Sequence, residues 1–220
     1  MDHESDSNAD TGHSRLGLQK WGSLASFLIA FAVVVANLLY LTSNLRDAMG
    51  AFSYSIADFL YGPVWLAGLV TAVHALRERI GPRASHRMSL ALLAAVAAGA
   101  AMLAVACIRA ANRHYHILHP GLHLETNDTV LVMWTTLVAG VNATGWHLLG
   151  WALLLIGSAG WASGLLPRAL CALYWGAGAA SLFVYTWPEL EGAAASLFIA
   201  ASIWQGFVLW RAPSDAAARK

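Results

Sequence analysis

Charge is what this sequence lacks. Asp, Glu, Lys and Arg make up 11% of its 220 residues, and hydrophobic residues 58%; an ordinary soluble domain is about 25% charged. Cysteine is nearly absent too. Cys107 and Cys171 are the two present, and they fall at opposite ends of their apolar runs. That places them beyond the roughly 7 Å Cα separation a bridge allows, so no disulfide is expected. A net charge of +1 gives no basic surface for nucleic acid. Phosphate-binding loops, dinucleotide fingerprints, zinc-protease motifs and a Ser-His-Asp order are all missing.

What is present in quantity is long uncharged sequence. The stretch 21–41 carries no charge and is long enough to span a hydrocarbon core of about 30 Å as a helix. Similar runs occupy 56–76, 88–108, 129–166, 169–187 and 192–210. With six spans and a cytoplasmic N-terminus, Arg46, Arg109 and Arg113 fall outside and the other ten of the thirteen Lys and Arg fall inside. That asymmetry obeys the positive-inside rule, and the inverted arrangement violates it. The expected fold is therefore all-α, a polytopic bundle of six transmembrane helices with both termini cytoplasmic. Residues 1–17 read as a disordered polar tail, 18–211 as the membrane domain and 212–220 as a short cytoplasmic tail. The first apolar run is too long for a signal-peptide core and has no small-x-small site, so an uncleaved first span is expected.

Connections and packing faces follow from small residues. Gly81-Pro82 breaks the basic segment 77–87 into a hairpin between the second and third spans. The alanines of the third span, Gly176 and Gly178 of the fifth, and the Ala- and Ser-rich sixth mark buried helices whose backbones approach closely. The stretch 129–166 is too long for one bilayer crossing and too short for two. It is read as a single span over 142–162, with 129–140 as its outward extension.

A resemblance enters at this point. Ile56-Ala-Asp-Phe-Leu60, Val73-His-Ala-Leu-Arg77, Gly160-Trp-Ala-Ser-Gly-Leu-Leu-Pro-Arg168 and the closing Trp204-Gln-Gly206 together resemble a bacterial family of six-span inner-membrane proteins. That family is known only as a domain of unknown function. The likeness covers about residues 20–211 and implies a fold and a bacterial inner-membrane location, with no activity attached.

Two embedded groups stand out. Asp58 lies one turn into the second span and shares a helical face with Gly62, Trp65, Leu69 and Ala72. It reads either as an acid that complements a helix start or as a functional acid. His147 is the ionisable group of the fourth span, on a stripe with Thr136, Gly140, Trp151 and Ser158. It reads either as a neutral hydrogen-bonding partner or as a proton carrier. Both fall in the outer half of the membrane, with Asn37, Tyr61, Asn142 and Tyr185 at similar depth. Trp65, Trp146 and Trp151 are expected to wall a shared cavity and Glu189 to rim its mouth. A direct or one-water contact between Asp58 and His147 is the sharpest expectation.

No metal or cofactor is expected. The histidines of 113–125 match no ligand motif across the Pro120-Gly121 break, and His74 and His147 lie at depths too different for haem. The leading functional reading is a cavity in the outer leaflet that binds a membrane lipid or other small lipophilic molecule. One alternative is an embedded isomerase or cyclase of a prenyl- or polyketide-type lipid, with Asp58 as general acid and His147 as its partner. The other is an accessory subunit that docks a second copy or another membrane protein through its small-residue ridges.

Overall fold

The computed structural model describes residues 4–41, 51–118 and 128–211. These residues contain helices and turns and no strand. Helix α1 is Glu4–Leu41; α2 (Ala51–Phe59) runs through a π turn (Leu60–Val64) into α3 (Trp65–Ile80). A 3-10 turn (Gly81–Ala84) leads to α4 (Ser85–Leu118), followed by α5 (Asp128–Ser163), α6 (Arg168–Phe183) and α7 (Leu190–Trp210). Four stretches are long and apolar enough to cross a membrane: Gly17–Tyr40, Phe52–Tyr115, Thr129–Ser163 and Leu190–Trp210. The second of these folds back at Gly81, whose φ of 64° is a conformation glycine adopts without a Cβ clash. Helix α6 is shorter, at 16 residues.

The helices close a ring. Helix α1 packs on α3, α3 on α4, α4 on α5, α5 on α6, α6 on α7, and α7 returns to α1. Large side chains fill the centre, among them Trp65, Trp146, Tyr174, Leu149 and Leu153. One polar chain crosses it: Tyr174 O–H donates to Gln205 Oε1, and Gln205 Nε2 donates to the Ala72 carbonyl at 3.3 Å. Where backbones must meet, glycines permit it. A Cβ on Gly150 would lie 2.8 Å from the Gly178 carbonyl oxygen, and one on Gly178 would lie 2.9 Å from that of Gly150. This is the small-residue contact that lets membrane helices touch.

The outside is as apolar as the inside. On α1, Ala25, Ile29, Val33 and Ala36 are buried while Leu24, Leu28, Phe31 and Leu38 stand exposed. A helix hydrophobic on all sides suits lipid on its outer face, because water would penalise that face.

Hydrogen bonds fix which helix ends lie together. Ser23 Oγ donates to Gly206 O at 2.7 Å, Arg79 Nη1 to Val208 O at 3.1 Å and Arg87 Nη1 to Ser158 O at 3.3 Å. These define the Arg79 end of the bundle. The opposite end gathers the close of α1, the start of α2, the close of α4 and the starts of α5 and α7; it is the Asp58 end.

Three expectations need correction. The tail drawn as disordered over 1–17 is helical from Glu4 and continuous with the apolar helix. Extending a formed helix costs far less than nucleating one. Residues 113–118, assigned to a loop, complete α4; histidines 119 and 123 lie outside the described residues. The alanine-rich helix is also not buried all round: α4 buries Met88, Ala91, Ala95, Ala98 and Met102 but exposes Leu90, Leu93 and Val96. The long fourth run is one helix of 36 residues, about 54 Å at 1.5 Å per residue. Its first turns are exposed apart from half-buried Trp134 and buried Val138.

Candidate functional site

Asp58 is 4% exposed, at the close of α2 just before the π turn. The stripe anticipated for it is real: Gly62, Trp65, Leu69 and Ala72 are all buried beside it. Its partners come from two other helices. Tyr40 O–H, from α1, donates to Oδ1. Arg113 Nη1, from α4, lies 2.5 Å from Oδ2. Arg109 Nη1, one turn earlier on α4, lies 3.9 Å from Oδ1. At that distance the contact is coulombic and not a hydrogen bond. The Arg109 guanidinium also sits over the Tyr40 ring, 5.0 Å from its centre, a cation–π geometry.

Local sequence explains why these groups meet. Pro63 has no N–H to give the preceding turn, and the backbone widens into the π turn around it. Gly62, inside that turn, lets the backbone press on α4: a Cβ there would lie 2.8 Å from the Ala106 Cβ. Arg109 and Arg113 follow Ala106 on the same helical face. Around them lies a cleft of about 320 Å³ lined by Tyr40, Tyr54, Arg109, Asn112, Arg113 and Trp134.

A second, larger cleft lies elsewhere. A groove of about 870 Å³ runs along α5 against the close of α6 and the start of α7. Ala139, Ala143, Leu148 and Val184 supply apolar walls, and Asn142, Thr144, His147, Tyr185 and Glu191 supply polar edges. Glu191 Oε1 accepts from Asn142 Nδ2 at 3.2 Å and from Trp146 Nε1 at 3.0 Å. Its place in the first turn of α7 also suits a carboxylate.

His147 is satisfied on both ring nitrogens. Trp151 Nε1 can only donate, and it lies 3.2 Å from Nε2. Nδ1 must then carry the proton it gives to the Leu182 carbonyl at 3.1 Å. That carbonyl is among the last four of α6, which have no acceptor role left within their own helix. A neutral His147 therefore caps α6 from α5, with the Tyr185 ring 5.6 Å away.

The single shared pocket is not formed. Asp58 is engaged by Tyr40, Arg109 and Arg113, whereas His147 faces α6 and lines a different cleft. The reason is rotational: the inward face of α5 is Gly145, Trp146, Leu149 and Leu153, which turns His147 toward the groove. Asn37 bonds its own helix at Val33 O, 2.9 Å. Tyr61 and Trp65 stack in the core at 6.3 Å, and Trp146 is 2% exposed, so none of the three walls a cleft. Tyr185 lines the groove; Trp151 is exposed and donates to His147. Glu189 is exposed, and its neighbour Glu191 is the acid that turns inward.

Sequence reasoning missed Tyr40, Arg109 and Arg113 as site groups, and of the two acids in the turn before α7 it chose Glu189 over Glu191. A signal for the arginines existed. Asp58 lies about as far before the Gly81-Pro82 hairpin as Arg109 lies after it, so an antiparallel pair sets them level. Comparison with family models, curated proteins and solved structures finds no match to the chain.

Proposed function

We propose that the chain is a six-span protein of a bacterial inner membrane that binds a small lipophilic molecule in the α5–α6 groove, at outer-leaflet depth. In this reading the Asp58 end faces outward. Charge supports that orientation, since Arg77, Arg79, Arg83, Arg87, Arg168 and Arg211 gather at the Arg79 end. At the other end Arg109 and Arg113 are held by Asp58. The observation that carries the binding reading is the groove itself. It has about 870 Å³ of space with apolar walls, within the size range of small-molecule sites. Its polar edge at Asn142 and Glu191, whose remaining oxygens accept, suits a guest bearing a hydroxyl or amine donor beside an apolar body.

The isomerase or cyclase alternative draws less support. Both oxygens of Asp58 already face Tyr40 and the arginines, and both nitrogens of His147 are engaged. Mass spectrometry of lipids that co-purify with the protein tests the binding reading. Wild type should retain a defined lipophilic species, and Ala143→Trp, which fills the groove, should lose it. Equal retention by both would place the guest elsewhere.

A further inference from the structure

We infer that the cleft beside Asp58 is a separate binding site for a phosphate-type oxyanion. It opens between α1, α2, α4 and α5, away from the groove, and its chemistry differs. Two guanidiniums face one carboxylate, so the cluster carries one positive charge in excess. Asp58 is the buried member and lies behind them, 5% exposed at its side chain, while Arg109 and Arg113 are 28% and 25% exposed. The acid thus holds both guanidiniums in place, and their outer donors remain toward the cleft. Arg109 meets Asp58 at 3.9 Å, by charge alone, and that contact does not use up its five N–H donors.

The other lining groups are donors too. Asn112 offers an amide, Tyr54 a hydroxyl and Trp134 an indole N–H. Trp134 Nε1 is buried and has no acceptor among the described residues. A buried donor without a partner is costly, and an indole N–H at the wall of a cationic cleft calls for an acceptor inside it. An oxyanion with several oxygens satisfies the two arginines, the amide and the indole together, through charge-assisted hydrogen bonds. The volume of about 320 Å³ admits a phosphate ester as well as a free phosphate. The same chemistry would serve an anionic phospholipid headgroup or a soluble phosphate.

The test uses the full chain in nanodiscs. In discs of zwitterionic lipid, inorganic phosphate is titrated against chloride at matched ionic strength while thermal unfolding is followed. In a second set containing anionic phospholipid, native mass spectrometry counts retained lipid. Phosphate that raises the unfolding temperature identifies a soluble oxyanion; selective retention of the anionic phospholipid identifies a headgroup. In either case Arg109→Gln and Trp134→Phe should each weaken apparent affinity about tenfold, as expected for loss of a hydrogen bond to a charged ligand. Trp134→Phe removes the N–H together with the pyrrole half of the indole, so unchanged affinity in that variant rules out the indole contact even if Arg109→Gln does not fold. No response in either arm, or responses unchanged in Trp134→Phe, overturns the assignment.

Discussion

Gly62 and Ala106 meet so closely that a Cβ on Gly62 would lie 2.8 Å from the Ala106 Cβ. That approach sets Arg113, two turns after Ala106, 2.5 Å from Asp58, one turn before Gly62. Packing and electrostatics are thus coupled through a residue with no side chain. Gly62→Val should force α2 and α4 apart, destabilising by about 1–3 kcal/mol as overpacking does. It should also loosen the ion pair. A thermal shift of the purified protein measures the first effect, and an unchanged melting temperature would mean that the contact relaxes freely.

The Asp58–Arg113 pair is expected to behave as a coupled unit. Asp58→Asn leaves two partly buried guanidiniums without their counter-charge and should cost about 2 kcal/mol or more. A helix-start acid alone would cost about 1 kcal/mol or less. Arg113→Gln should cost a comparable amount, and the double variant less than the sum. A double-mutant cycle with coupling near zero would show that Asp58 and Arg113 do not act as a unit.

His147 is assigned a structural bond, and that assignment is testable. His147→Phe keeps an aromatic ring beside Tyr185 but removes the donor to Leu182 O and the acceptor for Trp151. Stability should fall by about 1 kcal/mol per lost bond. Stability equal to wild type would show that the α6 carbonyl finds another donor.

Gln205 holds the polar chain across the core, at 5% exposure. Gln205→Leu should strand the Tyr174 hydroxyl in an apolar interior and cost about 1–3 kcal/mol. Adding Tyr174→Phe should recover much of that, because both partners then become apolar. The Ala72 carbonyl loses little, since it lies inside α3. Failure of the second change to restore stability in thermal unfolding would point to packing as the cause.

Residue patterns carried the fold further than the site. Uncharged runs located the helices, Gly81-Pro82 located the hairpin, and one uninterrupted pattern from 129 onward gave a single long helix. The face of Asp58, Gly62, Trp65, Leu69 and Ala72 was legible because helical periodicity places them together whatever their partners. The partners were not legible. Arg109 and Arg113 look like interfacial charges on a one-dimensional reading, and only an antiparallel hairpin sets them level with Asp58. His147 and Glu191 depend on the rotation of α5 about its axis, which inter-helix packing at Gly150 and Gly178 decides and a single helix's sequence does not. Polar residues on one stripe were taken to face inward; here the bulkiest apolar face faces inward, and the stripe lines a groove.

Outward placement of the Asp58 end is the claim on which the outer-leaflet reading of the groove depends. Arg83, in the 3-10 turn, and Glu189, before α7, are exposed at opposite ends of the bundle. Cys107 is exposed and Cys171 buried, so Cys107→Ser removes the accessible native thiol. In that background, a membrane-impermeant maleimide applied to intact cells should label Glu189→Cys and leave Arg83→Cys unlabelled until the membrane is opened. Labelling of Arg83→Cys in intact cells with Glu189→Cys protected, or the same accessibility at both, would contradict the orientation and the outer-leaflet placement of the groove with it.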